Sequence, residues 1–236
     1  MDCRQRVQQL CSPKATLSCM DSRSHSAVVS DQVAQSETVA SQSSSSSGQR
    51  TLGSGDMPLV WIDCEMTGLD AVTDALIEVA VIVTDSQLQP VDAGISVVIK
   101  PPAGLVENMD DFVTQMHTNS GLLEELDGGV SMEEAQATVL GYIQKIVPEA
   151  GIALLAGNSV GNDRLFLARD MPQVIDHLHY RIVDVSSIKE LARRWYPQDF
   201  DAAPAKTGNH RALGDIQDSI DELAYYRSAI MKSSGA

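Results

Sequence analysis

The chain has 236 residues, 43% of them hydrophobic, and a formal net charge of −15. That length supports one domain with a full hydrophobic core and room for a tail, and no apolar run reaches the roughly 18 residues that would span a bilayer. The first 56 residues hold five Lys/Arg and five Asp/Glu, which leaves 12 basic against 27 acidic residues beyond them. So acidic a domain does not grip long nucleic acid unaided, because that affinity comes largely from Lys and Arg neutralising phosphates. Its partner is either not nucleic acid, or is short and met by metal ions that supply the positive charge.

Residues 1–56 read as a disordered extension. They contain no aromatic residue, and Ser41 to Gly48 is nearly all serine, so little can be buried to offset chain entropy. Arg4, Arg6, Lys14 and Arg23 among serines give a faint transit-peptide character, weakened by Asp2, Asp21 and Asp31. Cys3, Cys11 and Cys19 lie in this extension and only Cys64 in the domain. The domain cannot close an internal disulfide, so a reducing compartment is expected: the cytoplasm, or the mitochondrion if the extension is a transit peptide.

The folded domain, 57–236, is expected to start near Pro58. Leu59 to Glu65 reads as a first strand, Leu76 to Thr84 as a buried second strand interrupted by Glu78, and Gly94 to Lys100 as a third, stopped by Pro101-Pro102. Helical patterns follow at about 103–117 and 131–146, the second opened by a capping box of Ser131 and Glu134. Ile152 to Ala156 is a fourth strand, leading through a polar loop into a helix from about Gly161. Tyr180 to Asp184 is a fifth, followed by helices over Ser186 to Trp195 and about 211–230. Three strands in succession, then strands alternating with helices, predict an α/β domain: a ribonuclease-H-like mixed five-stranded sheet flanked by helices.

Asp63 and Glu65 are two apart on the first strand, so their side chains share a face. Beside Val60, Trp61 and Ile62, two such carboxylates repel and lose hydration unless a cation lies between them; an exposed strand end is the commoner explanation of an isolated Asp-x-Glu. Asp163 follows the fourth strand, where ligand sites collect in α/β sheets, although taken alone it reads first as a cap of the helix that starts there. His210 and Asp215 flank the start of the last helix, and His210 alone is as consistent with a surface histidine as with a catalytic one.

Taken in order, Asp63-x-Glu65, Asp163 and His210-x4-Asp215 resemble the DEDDh exonuclease pattern. The similarity extends to the oligoribonuclease family through Trp61-Ile62-Asp63-Cys64-Glu65-Met66-Thr67-Gly68-Leu69, Met116-His117-Thr118-Asn119-Ser120-Gly121-Leu122, Gly157-Asn158-Ser159-Val160-Gly161-Asn162-Asp163, His179-Tyr180-Arg181, Lys189-Glu190-Leu191-Ala192-Arg193-Arg194-Trp195 and Glu222-Leu223-Ala224-Tyr225-Tyr226-Arg227. These segments recur in order across about 58–230.

The resemblance implies a 3′→5′ exoribonuclease that degrades short RNA, especially dinucleotides, to 5′-mononucleotides. Oxygen ligands suit Mg²⁺ or Mn²⁺, and two such ions roughly 4 Å apart can hold the attacking and departing oxygens of a phosphoryl displacement. Asp63, Glu65, Asp163 and Asp215 would ligate them, and His210 would accept the proton of the attacking water. The resemblance further implies that Leu69 wedges beside the bases, Phe112 stacks on one, and His117 lies along the same groove. Ser159, Arg181 and Ser186 would hold the terminal 5′ phosphate, aided by Tyr180 of a second subunit, which implies a homodimer. Leu69 and Phe112 could instead be core residues, and Ser186 a helix cap.

Two positions depart from the family pattern. Phe112 stands where Trp is common, which offers less stacking area. Gly214 replaces a commonly acidic neighbour of Asp215, at about 1 kcal/mol relative to Ala in a helix. The nearest rival is a DEDDh exonuclease acting on DNA ends; a noncatalytic relative would have lost a ligand, and none is lost.

Overall fold

The computed structural model describes residues 50–206 and 211–232. His210 and nearly all of the Ser-rich extension therefore lie outside the described residues. Packing begins upstream of Pro58: the buried Leu52 donates its N–H to the Ile146 carbonyl at 2.7 Å, and Arg50 pairs with Asp85.

Five strands form one mixed sheet: β1 (Leu59–Met66), β2 (Leu76–Thr84), β3 (Ile95–Val98), β4 (Leu154–Gly157) and β5 (His179–Asp184), in the order β3-β2-β1-β4-β5. β1 pairs antiparallel with β2, and β2 with β3; β1 and β4, then β4 and β5, are parallel. This is the sheet expected from the sequence, with β1 at its centre between β2 and β4.

The helices are α1 (Asp111–Asn119), the short α2 (Leu122–Glu125), α3 (Met132–Ile146), α4 (Gly161–Asp170), α5 (Pro172–His177), α6 (Val185–Trp195), α7 (Pro197–Asp201) and α8 (Ala212–Ala229). The Ser131–Glu134 capping box forms as predicted, with the Glu134 N–H donating to Ser131 and the Ser131 N–H to Glu134. Helix α1 starts later than the predicted 103, because the Asp110 carboxylate accepts the Val113 N–H and caps the helix there.

Strand alternation assigns the two sheet faces. Val60, Ile62 and Cys64 of β1, with Val79, Val81 and Val83 of β2, join the core beneath α3, α4 and α5. Trp61, with Ala80 and Ile82, joins Ala212, Ile216, Ile220 and Leu223 of α8 on the other face. Asp63 and Glu65 share the parity of Trp61 and so face α8. Gly157 ends β4 against β1, where an added Cβ would lie 3.0 Å from the Ile62 carbonyl oxygen. No helix among the described residues is long and apolar enough to cross a membrane.

Candidate active site

β1 delivers two of the carboxylates and α8 a third. Carboxylate oxygens of Asp63, Glu65 and Asp215 all lie within 4.8 Å of one another. Asp215 reaches them because it occupies the first turn of α8, the helix packed on that face of β1 and β2. Asp163 enters from the first turn of α4, buried, and its Oδ1 accepts the N–H of Cys64 at 3.0 Å. All four sequence-predicted carboxylates thus meet at one end of the sheet.

Their electrostatics are adverse without a cation. Burial drives the Asp63 carboxyl well above the usual range, reinforced by Asp163, Glu65 and Asp215 and opposed by Lys206. Burial also raises Glu65 to about 8, with Asp215, Glu78 and Asp163 adding to it and Arg211 opposing. Asp163 rises to about 6, mainly by burial, while the N–H of Cys64 holds it down. Convergent oxygen donors that repel one another in a shielded place fit a divalent metal, which would remove the repulsion.

Lys206, opposing the rise at Asp63, and Arg211, opposing it at Glu65, temper this charge. Glu78, 1% exposed, faces Glu65 across the β1–β2 ladder. Arg211, just before α8, donates to Glu78 from Nε and Nη2 at 3.3 and 3.2 Å, and to both oxygens of Glu125 at 2.8 and 3.1 Å. Ser96 donates to Glu78 at 2.6 Å. Arg211, Glu78 and Glu125 were missed in the sequence; the one visible signal was an acid inside the apolar run of β2.

The predicted substrate residues divide. Leu69 and Phe112 are exposed, at 63% and 56%, so neither is a core residue. Tyr180 is 71% exposed on the edge strand β5, its ring stacked on His179 and under the guanidinium of Arg181. Ser159 and Ser186 meet, their hydroxyl oxygens 2.9 Å apart, and the Ser159 N–H donates to Ser186 Oγ at 2.5 Å. Asp184 caps α6 and accepts the N–H groups of both serines at 3.0 and 2.9 Å. Ser186 therefore follows the capping residue instead of being it, which leaves its hydroxyl directed at Ser159.

His117 takes a different place from the groove expected of it. Its ring is fully buried, with Nε2 2.9 Å from the Met66 carbonyl oxygen and Nδ1 3.9 Å from Glu65. Five residues carry it about 140° round α1 from Phe112, so Phe112 faces solvent while His117 faces β1. In this structure its ring approaches the Glu65 carboxylate from within the fold.

The chain is similar to known exonucleases in both sequence and fold. The family profile described as Exonuclease (RNase_T) matches residues 60–223. The oligoribonuclease of Cutibacterium acnes is 60% identical over 176 residues, covering 75% of this chain and 87% of that protein. The oligoribonuclease of Streptomyces griseus is 60% identical over 172 residues, covering 73% and 86%. Among solved structures, zinc-bound E. coli ExoI in a complex with single-stranded DNA superposes with a TM-score of 0.58 at 10% identity, over 77% of this chain and 41% of that one. Exonuclease I of Methylocaldum szegediense gives 0.55 at 17% identity, over 74% and 41%. The chain spans about two fifths of those two solved chains, and the likeness to them is one of fold, the ribonuclease-H-like sheet. With the exonuclease profile matched over residues 60–223 and about three quarters of its length aligned at 60% identity with these relatives, the chain belongs to the oligoribonuclease family of exonucleases.

Proposed function

We propose that this chain is a 3′→5′ exoribonuclease that hydrolyses short oligoribonucleotides, dinucleotides above all, to 5′-mononucleotides. The observation that carries the reading is the convergence of Asp63, Glu65 and Asp215 oxygens within 4.8 Å, with Asp163 fastened beside them through Cys64. Asp63, Glu65, Asp163 and Asp215 would hold two divalent ions, Mg²⁺ or Mn²⁺ by their all-oxygen ligation. When bound, these ions supply charge neutralisation at the phosphate and lower the pKa of a water.

The chain's own residues do the rest. His210, next to the anchored Arg211, accepts the proton of the attacking water. Leu69 and Phe112 are free to meet bases, as their exposure allows. Ser159, Ser186 and Arg181 take the 5′ phosphate; the two hydroxyls already converge. His117 acts on Glu65, which it approaches from within the fold.

A homodimer completes the site, with Tyr180 reaching the partner subunit. Supporting this, Tyr180, Ile182, Leu191, Trp195 and Tyr196 leave exposed apolar surface along β5 and α6, at an unpaired sheet edge. The free thiol of Cys64 suits the reducing cytoplasm.

The test is cleavage of 5′-labelled RNAs, from the dinucleotide upward, with Mg²⁺, Mn²⁺ or EDTA, beside Asp163→Ala. Metal-dependent conversion to mononucleotides, fastest for the dinucleotide and lost in the variant, is the expected result. Equal cutting of longer strands would overturn the short-substrate reading, and no metal-dependent cutting would overturn the nuclease.

A further inference from the structure

The terminal-phosphate serines and the metal-ligand helix come from distant parts of the chain, yet one directed series of hydrogen bonds joins them. Ser186 Oγ donates to Asn158 Oδ1 at 3.4 Å. Asn158 Nδ2 donates to Ser219 Oγ at 2.9 Å and to Glu222 Oε2 at 3.0 Å. Ser219 Oγ donates to the carbonyl oxygen of Asp215 at 2.8 Å. Every donor in this series meets an acceptor, and only one orientation of the Asn158 amide allows it, because the reversed amide would set its oxygen against the Glu222 carboxylate.

The series is built into the interior. Ser219 and Glu222 are 2% and 4% exposed. Lys189 of α6 meets Glu222 at 3.0 Å, and Lys206 lies 3.8 Å from its other oxygen. A buried carboxylate matched by two lysines and an amide is costly to rearrange, since removing a partner leaves its charge less compensated. At the other end, Ser159 is held at φ +55°, a left-handed conformation costly for a residue with a Cβ. Such strain persists where surrounding bonds over-determine it, and here Asp184 and Ser186 both accept the Ser159 N–H.

We infer that Asn158, Ser219 and Glu222 are positioning residues that fix the distance between the serine pair Ser159–Ser186 and the metal-ligand helix α8, and thereby set the preference for dinucleotides. The inference rests on the reading of those serines as the 5′-phosphate subsite. A dinucleotide has its terminal phosphate in the serine pair while its scissile phosphate is at the carboxylates. The fixed spacing matches that one length. A longer strand, or a dinucleotide without a 5′ phosphate, does not engage both ends at once and gains nothing from the spacing.

The experiment compares wild type, Ser219→Ala and Asn158→Ala on three substrates: a 5′-phosphorylated diribonucleotide, the same dinucleotide without the phosphate, and a 5′-phosphorylated tetraribonucleotide. Ser219→Ala removes one oxygen and cuts the series at α8; Asn158→Ala cuts it just after β4 and serves if the first variant folds poorly. Expected is a fall of about tenfold in kcat/KM for the phosphorylated dinucleotide. The other two substrates and the Mn²⁺ concentration for half-maximal binding change little. Added to Ser186→Ala, which removes a phosphate contact, Ser219→Ala should lower the length preference no further. Equal losses on all three substrates would show a merely structural role, and an unchanged preference in both folded variants would overturn the inference. Absence of any dinucleotide preference in the wild type would instead remove the proposed function itself.

Discussion

The N–H of Cys64 donates to the Asp163 carboxylate at 3.0 Å, which fastens the first turn of α4 to the strand residue between Asp63 and Glu65. Asp163 is thus both a ligand candidate and a joint. Asp163→Asn keeps the acceptor oxygen but removes the charge; Asp163→Ala removes both. Loss of an outer partner of a metal site commonly costs about 10–100-fold in affinity or activity. Both variants should exceed that in Mn²⁺ binding measured by calorimetry, with Asn retaining the higher melting temperature. Equal melting temperatures would mean the joint is unimportant.

The raised carboxyls make a prediction about pH. Glu65 titrates at about 8 and Asp163 at about 6 in the fold, against roughly 4 in the unfolded chain. Between those values the folded protein binds more protons than the unfolded one, so stability falls as pH rises. In EDTA the melting temperature should decrease from pH 5 to pH 8, and Glu65→Gln should flatten that slope. Metal binding requires the ionised forms, so stabilisation by Mn²⁺ should grow across the same window. A metal-free protein that gains stability toward pH 8 would contradict this.

Phe112 is exposed and carries a stackable ring. Stacking on a base is worth about 1–3 kcal/mol by alanine substitution. Phe112→Ala should therefore raise KM for a dinucleotide by about tenfold or more, with a smaller change in kcat. Phe112→Trp, which enlarges the ring, should lower KM. Unchanged kinetics in both would remove Phe112 from the substrate.

Tyr180 and Trp195, 71% and 65% exposed, test the second subunit. Trp195→Asp should shift sedimentation from dimer to monomer with loss of activity. A mixture of inactive Tyr180→Ala and inactive Asp163→Ala subunits should regain activity, because one of its two sites receives an intact carboxylate set and a partner tyrosine. A fully active monomer would overturn the arrangement.

Much of this was legible in the sequence where the signal is local. Period-two alternation placed Asp63 and Glu65 on one face, and short apolar runs, the second of them rich in β-branched residues, gave all five strands. The start of α1 was misjudged because the stop signal, Pro101-Pro102, lies well before the actual cap at Asp110. The brief helices α5 and α7 have Pro in the first turn but too few residues for a periodic pattern. His117 was read by its motif, and its inward direction depends on how α1 lies against β1. The network around the site was illegible for a plainer reason: Arg211 and Glu78 are 133 residues apart, and Asn158 and Ser219 are 61 apart. Only the sheet brings them together.

Arg211 answers two carboxylates from two different elements, one of them in the interior. This ties the evolutionary fates of positions 78, 125 and 211. A lineage that loses the arginine strands a buried negative charge beside Glu65, and one that loses Glu78 frees half the guanidinium. Neutral drift at these positions is therefore restricted unless another changes with it, so across relatives they should vary as a set.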